Sequence, residues 1–207
     1  MITRIKTDSR EKWKELRRHY IGGSDAASVV GMNPYKSAYT LFMEKTGKIP
    51  EFEGNLATDV GSYLEEFIAE RFEKETGKRV RRANYSIVND LYPFAIANVD
   101  RLVIGEDAGL EIKSTSELNL KRFKNKEYPG NYYCQCVHYL AVTGKARWHL
   151  AVLIGNSDFR TYVIERDEED IDKLMKAEKE FHDRMKSGEP PYIDGSVSSS
   201  NTIGTLY

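Results

Sequence analysis

The sequence of 207 residues has little cysteine, with two residues that stand two positions apart, at Cys134 and Cys136. A disulfide framework, a structural zinc site or an iron–sulfur cluster needs about four such ligands, so this count argues against all three. The cysteines are most simply small buried hydrophobes in a protein of a reducing cytoplasm. His138 has no second histidine or cysteine at ligand spacing, and we interpret it as structural.

Long apolar runs are also absent. No stretch approaches the roughly 20 consecutive apolar residues of a membrane helix, and residues 1–18 lack the apolar core of a secretory signal. We therefore expect a cytoplasmic protein with no membrane partner. A composition of 40% apolar and 30% charged residues is typical of a globular chain. We expect a single domain over residues 1–189 and a flexible C-terminal tail, rich in proline, serine and glycine, over residues 190–207.

The charge is balanced overall, at −1, but it is unevenly placed along the chain. Basic residues concentrate in residues 1–22, 78–82 and 113–126, whereas residues 165–173 are acidic. Basic stripes on a near-neutral protein can bind nucleic acid along one face. Ordinary solvated faces explain the same pattern, so charge alone does not decide between these readings.

Apolar spacing and helix-capping residues predict an order of helices, strands and helices. Helices are predicted at residues 9–20, 25–31, 38–47 and 57–77, with Ser9, Ser24 and Ser37 as the N-caps of the first three and Gly77 at the end of the fourth. Three strands follow within residues 78–115, then a helix at 131–144, two strands within 146–166 and a closing helix at 167–188. This order predicts an α/β or α+β domain with a mixed central sheet and helices on both sides.

Charged residues interrupt two apolar strands at Asp100, Glu111 and Lys113. Glu111 and Lys113 are two positions apart, so they project from the same face of a strand, and a hairpin would bring Asp100 beside Glu111. Two neighbouring carboxylates repel each other unless a cation lies between them, which favours Mg²⁺ or Mn²⁺ with the carbonyl of Ile112 as a further ligand. Lys113 could then stabilise charge on a phosphate oxygen. A surface ion pair beside a turn aspartate is the alternative.

Three further residues could complete such a site. The apolar face predicted for the long helix consists of Val60, Leu64, Phe67, Ile68 and Phe72. Glu65 borders this face and could reach the metal, or it could be a plain surface acid. Gln135 and Tyr139 lie four positions apart, hence on one helix face, where the Gln135 amide could hold water or substrate. A glutamine that is hydrogen-bonded inside the fold is the alternative.

The N-terminal part of the chain offers a phosphate-binding pair. Ser24 follows the "IGG" turn at a predicted helix start, where free N–H groups and the helix dipole favour anions. Arg17 lies late in the preceding helix and could clamp a terminal phosphate with its guanidinium group. A simple serine cap and a solvated arginine explain the same residues.

Several of these segments together resemble a known family. The segment "WKELRRHYIGGSDAASVVGMNPYKSAYTLFMEKTG", then "GSYLEE", then Asp100 with Glu111-Ile112-Lys113, then "YYCQCVHYL" resembles the YqaJ-like viral recombinases, phage exonucleases of the PD-(D/E)XK nuclease superfamily. The similarity runs from about Trp13 to Gly155. Each motif is weak alone, and their order and spacing carry the resemblance.

The resemblance implies a restriction-endonuclease-like core and Mg²⁺-dependent digestion of linear double-stranded DNA from the 5′ end. It implies a ring-shaped homotrimer around DNA, a single-strand annealing protein as partner, and a phage or prophage protein in the cytoplasm of a host bacterium. The matching metal ligands are Asp100, Glu111 and Glu65, to which the strand geometry adds the Ile112 carbonyl. The matching catalytic residues include Lys113 and Gln135, and the DNA and 5′-phosphate residues are Arg17, Ser24 and Tyr139.

Two other functions fit the same residues. A Cas4-like or repair nuclease shares the core, but such enzymes commonly carry four cysteines for an iron–sulfur cluster. A non-catalytic DNA-binding subunit could keep the fold, although a subunit without activity would be expected to lose one of the four charged site residues.

Overall fold

The computed structural model describes residues 1–7 and 9–206. Within these residues the seven α-helices are α1 Arg10–Arg18, α2 Gly23–Val29, α3 Ala38–Lys45, α4 Leu56–Thr76, α5 Gly130–Thr143, α6 Glu168–Ser187 and α7 Val197–Leu206. The nine strands are β1 Ile2–Ile5, β2 Ile21–Gly22, β3 Val80–Arg82, β4 Ser86–Asn89, β5 Tyr92–Ala97, β6 Arg101–Val103, β7 Ala108–Thr115, β8 Arg147–Ile154 and β9 Asp158–Glu165. A 3-10 helix covers Glu117–Lys126.

The strands form two mixed sheets. The larger has the order β3-β6-β7-β8-β9, in which β7 and β8 run parallel and their neighbours antiparallel. The smaller has the order β1-β4-β5-β2. The predicted α/β class and the mixed sheet flanked by helices are confirmed. The second sheet differs from the single sheet predicted, because β1 is mostly exposed and β2 has only two residues, so neither gives a clear strand pattern.

Helices cover the two faces of the larger sheet. Ile68 and Phe72 of α4 pack with Leu110 and Ile112 of β7 in one apolar cluster. The main core contains α5 residues together with Trp148, which is fully buried on β8. Since alternate residues of a strand face opposite sides, Glu111 and Lys113 of β7 project away from the α4 side.

The outward face of α4 differs from the prediction. Val60 and Phe67, expected on the buried face, are 45% and 52% exposed. They share a helix face with Leu56 and Tyr63, which are 78% and 87% exposed. The helix is apolar on two faces, so its periodicity could not show which one packs inward.

Most predicted helix caps are confirmed, with one exception. The side chains of Ser9 and Ser37 accept hydrogen bonds at the starts of α1 and α3, and Gly77 ends α4 at a φ of 70°. Ser24 is not the N-cap of its helix, because α2 begins at Gly23 with Gly22 as the cap. Ser24 therefore lies in the first turn of α2.

The C-terminal segment contains a helix. Hydroxyl groups bind α7 to α3: Ser199 donates to Ser37 over 2.9 Å, and Thr40 shares hydrogen bonds of 2.8 Å with Ser198 and Thr202. Mobility of residues 190–207 in solution stays a prediction, and Tyr207 lies outside the described residues. In the described part of the chain, no helix combines the length and the apolar character needed to cross a membrane.

Candidate active-site cleft

The β6–β7 hairpin brings the three charged residues together as predicted. Arg101 pairs with Leu110 in the hairpin register, so Asp100 stands next to Glu111. The Asp100 carboxylate accepts a hydrogen bond of 2.8 Å from the backbone N–H of Ile112. The Lys113 ammonium lies 2.6 Å from Oε1 of Glu111, as the shared strand face requires.

Burial and mutual charge shape this cluster electrostatically. Glu111 is 1% exposed. Burial, followed by the charge of Glu111, raises the pKa of Asp100 well above its ordinary value. Burial alone would lower the pKa of Lys113, but the carboxylates of Glu111 and Asp100 outweigh it and raise that pKa. The two carboxylates therefore favour the ammonium form of Lys113, which can stabilise negative charge.

One carboxylate oxygen of the cluster has no hydrogen-bond partner among the described residues. Oε2 of Glu111 is buried and has no hydrogen bond to any described residue. An unsatisfied buried carboxylate oxygen costs free energy, and functional sites are where such groups occur. Together with Asp100 beside it, this oxygen is a donor of the kind that a hard divalent cation prefers. The donor set fits a Mg²⁺ or Mn²⁺ ion.

Glu65 reaches the same cleft from α4, where it is bound by a residue that the sequence analysis missed. Arg101 is 3% exposed and forms an ion pair with Oε1 of Glu65 and another with Glu66, at 3.0 Å. Its Nη1 also donates to the backbone oxygen of Asp100 over 2.8 Å. Among the described residues, no group of three or more acidic, histidine or cysteine side chains converges as a preformed metal cage.

Helix α5 contributes two polar side chains that form a buried series of hydrogen bonds. The Gln135 amide donates to the hydroxyl of Tyr139 over 2.9 Å, which confirms their common helix face. The Tyr139 hydroxyl donates to the backbone oxygen of Asn98, also over 2.9 Å. Burial raises the pKa of Tyr139 well above its ordinary value, so the phenol stays protonated and remains a donor. Gln135 is hydrogen-bonded inside the fold, as the alternative reading of that residue expected.

Arg17 and Ser24 meet at the other end of the cleft. The Arg17 guanidinium donates to the Ser24 hydroxyl over 3.1 Å and stacks on Trp13, with 4.7 Å from Cζ to the ring centroid. The Trp13 ring N–H donates to the Asn98 side chain over 3.0 Å. Stacking and hydrogen bonding fix the guanidinium group, which favours recognition of an anion.

All nine residues that the sequence singled out line one cleft of 710 Å³: Arg17, Ser24, Glu65, Asp100, Glu111, Ile112, Lys113, Gln135 and Tyr139. They come from helices α1, α2, α4 and α5 and from strand β7 with the turn before β6. Their roles in binding and catalysis stay predictions.

Three further residues of the cleft were not predicted from the sequence: Arg101, Asn98 and Trp13. Asn98 links the two ends of the cleft, because its side chain accepts from Trp13 and its backbone oxygen accepts from Tyr139. Asn98 and Arg101 lie within two positions of Asp100 in the segment "NVDR". Their polar side chains so close to the aspartate were the sequence feature that could have marked them as site residues. Ser86 also lines the cleft and donates to the Asn98 side chain over 2.6 Å.

Comparison with known proteins gives matches over most of the chain. Residues 12–146 match the model of the YqaJ-like viral recombinase domain. The YqaJ protein of Bacillus subtilis strain 168 is 42% identical over 203 residues, which cover 96% of this chain and 64% of that protein. The chain thus spans slightly less than two thirds of the length of this relative.

Solved structures share the fold at lower sequence identity. The alkaline exonuclease LHK-Exo of Laribacter hongkongensis superposes with a TM-score of 0.72 at 19% identity, covering 95% of this chain and all of that one. A phage-related exonuclease of Haemophilus somnus 129PT gives a TM-score of 0.61 at 15% identity, with 85% and 99% of the two chains covered. At these identities the likeness is one of fold, the restriction-endonuclease-like fold.

Proposed function

The chain belongs to the YqaJ-like viral recombinase family, and from this we propose that it is a metal-dependent exonuclease. Its substrate would be the end of a linear DNA duplex, digested in the 5′-to-3′ direction to leave a 3′ single strand. The observation that carries the proposal is the convergence on one cleft of a carboxylate pair, an ammonium group and an arginine–serine pair.

The divalent cation, Mg²⁺ with Mn²⁺ as a substitute, would be held by Asp100, Glu111 and Glu65, with the Ile112 carbonyl as a further ligand. When bound, such an ion neutralises phosphate charge and makes a bound water more acidic. Lys113 supplies a fixed positive charge to the oxygens of the phosphate that is cut. The Gln135 amide donates to the Tyr139 hydroxyl and so orients this hydroxyl beside the phosphate.

Arg17 and Ser24 would bind the 5′-terminal phosphate and so set the polarity of digestion. The guanidinium group is already oriented by Trp13 and Ser24. We expect Arg17→Ala to reduce the ratio of digestion rates on 5′-phosphorylated and 5′-hydroxyl duplexes, by about tenfold for the loss of one charge-assisted contact. Equal loss of rate on both substrates would instead indicate a structural role for Arg17.

We further propose three properties on the basis of family membership. The protein would act as a homotrimer that encloses DNA, with lysine and arginine side chains on the phosphates and no reading of sequence. A single-strand annealing protein would take up the 3′ strand. The place of action would be the cytoplasm of the bacterial host.

A time course on linear duplex with a radiolabelled 5′ phosphate and a fluorophore at the 3′ end tests the main proposal. With Mg²⁺, the radiolabel should leave first as mononucleotide, while the fluorophore stays on a shortening strand. Without a divalent cation, both labels should stay intact. Binding without digestion in Mg²⁺ and in Mn²⁺ would favour the DNA-binding subunit, and cleavage of closed circles would favour an endonuclease.

A further inference from the structure

Arg101 is a buried cation placed directly after one of the proposed metal ligands. Its side chain is 3% exposed, although arginine is seldom buried without specific partners. The partners come from two parts of the fold. They are Glu65 and Glu66 on α4 and the backbone oxygen of Asp100 in the turn before β6.

The two ends of the guanidinium group perform different tasks. Nη1 binds both Glu65 and the backbone oxygen of Asp100, whereas Nη2 binds Glu66 at 3.0 Å. The planar fork thus sets the distance between α4 and the Asp100 turn. A lysine has a single ammonium group on a flexible stem and cannot hold three acceptors in this fixed arrangement.

We propose that Arg101 is a positioning residue that fixes Glu65 relative to Asp100, so that carboxylates from a helix and a turn can bind one divalent cation. This inference rests on the proposed function, because it assigns a task toward the cation of that site. Groups that orient ligating carboxylates typically contribute 10- to 100-fold to metal affinity.

Arg82 provides a matched control. It is a second arginine that is bound to the same helix and lines the same cleft, but its carboxylate partner is Glu66 and its side chain is 59% exposed. Removing either arginine takes one positive charge from the neighbourhood of the carboxylates. Only the loss of Arg101 also removes the connection between Glu65 and Asp100.

The experiment measures Mn²⁺ binding to the wild-type chain and to the variants Arg101→Gln, Arg101→Lys and Arg82→Gln by isothermal titration calorimetry without DNA. We expect Arg101→Gln to weaken Mn²⁺ binding about 10- to 100-fold, Arg101→Lys to recover only part of it, and Arg82→Gln to change it less than threefold. Thermal unfolding shows whether each variant is folded. If Arg101→Gln does not fold, Arg101→Lys still tests the inference, because it keeps a buried positive charge without the planar guanidinium group.

Charge alone predicts the opposite result, because removing a cation beside carboxylates strengthens the binding of another cation. Arg101→Gln that binds Mn²⁺ as tightly as the wild-type chain, or more tightly, therefore overturns the inference, as does full recovery in Arg101→Lys. If the wild-type chain digests DNA and binds Mn²⁺, such results leave the proposed function intact. A wild-type chain that does neither overturns both.

Discussion

At the scale of single residues, the site depends on placing like charges side by side in a partly buried cleft. Asp100 and Glu111 stand side by side, and one oxygen of Glu111 has no partner among the described residues. Lys113 offsets this repulsion in part, through its 2.6 Å contact with Glu111. The same ammonium group is available to a phosphate, so one side chain serves both stability and the proposed chemistry.

Lys113→Ala should lower the cleavage rate about 10²- to 10³-fold, because a preorganised charge at the phosphate is lost, while DNA binding remains. It should also lower the free energy of unfolding by about 1–3 kcal/mol, since Glu111 stays buried without its cation. Gel-shift, cleavage and urea-unfolding measurements check these effects. Lys173→Ala, at an exposed position on α6, is the control, and full cleavage activity in Lys113→Ala would show that the assigned site is wrong.

At the scale of elements, α5 connects the cleft to the rest of the fold. Tyr139 points toward the cleft and packs against α2, where a Cβ added to Gly23 would lie 2.5 Å from the tyrosine ring. His138, one residue earlier, forms a buried ion pair of 2.8 Å with Glu178 on α6. The helix is thus fixed on both sides, which holds Gln135 and Tyr139 in place.

Gly23→Ala should therefore move the Tyr139 ring, because the new methyl group cannot fit at that distance. We expect a loss of about 1–3 kcal/mol in unfolding free energy and slower digestion. Gly204→Ala is the matched control, since an added Cβ meets no atom within 4 Å there, and alanine in a helix should stabilise it by up to about 1 kcal/mol. Equal unfolding free energies for wild type and Gly23→Ala would contradict the close contact.

The His138–Glu178 pair should make stability depend on pH. Burial opposes a charged His138, but Glu178 outweighs it and raises the histidine pKa above its ordinary 6.5, with Asp25 acting in the same direction. Burial raises the pKa of Glu178 as well. At these two side chains the folded protein therefore holds more protons than the unfolded chain. The contribution is fully present below the ordinary pKa values and is lost as pH rises through the folded ones.

Measured by urea unfolding between pH 6 and 9, the stability of the wild-type chain should fall more steeply than that of the double variant His138→Gln with Glu178→Gln. The double variant lacks both titrating groups and keeps side chains of polar character. Identical slopes for the two proteins would mean that this pair does not titrate in the range.

The sequence predicted the elements whose signals are local. Glu111 and Lys113 indicated their shared face because the period of a strand is fixed, and Gly77 marked the end of α4 because its left-handed conformation suits glycine. Arg101 could not be assigned, since its carboxylate partners lie 35 and 36 positions away in the chain. Likewise α7 is hydrogen-bonded to α3 through hydroxyl groups, and its apolar contacts come from Ile203 and Leu206 near its end, which is too few for an apolar periodicity.

At the scale of the whole molecule, the cleft is bordered by both sheets and by the helices that cover them. The face of α4 opposite the cleft carries a stripe of exposed apolar side chains, including Tyr63 and Phe67. Burial of such a surface against another chain is favourable, because it removes apolar area from water. The stripe therefore supports the proposed association of copies of this chain. Because the net charge is only −1, long-range electrostatic repulsion between the copies is small.

Sedimentation velocity should accordingly give a mass three times the 23.7 kDa of the chain at micromolar concentration. The reason is burial of apolar surface, so the trimer should persist in moderate salt. A mass of one chain over the whole concentration range would rule out the homotrimer without affecting the assignment of the cleft residues. Digestion that becomes distributive on dilution would be consistent with dissociation of a ring.

The contact between α7 and α3 should respond to ionic strength differently from the contacts between the protein and DNA. Hydroxyl pairs such as Ser37 with Ser199 and Thr40 with Thr202 carry no net charge, so dissolved ions screen nothing between them. Contacts between protein cations and DNA phosphates, in contrast, weaken steeply as salt is added. A salt titration of digestion will therefore report on the contacts with DNA phosphates and not on the hydrogen bonds between α7 and α3.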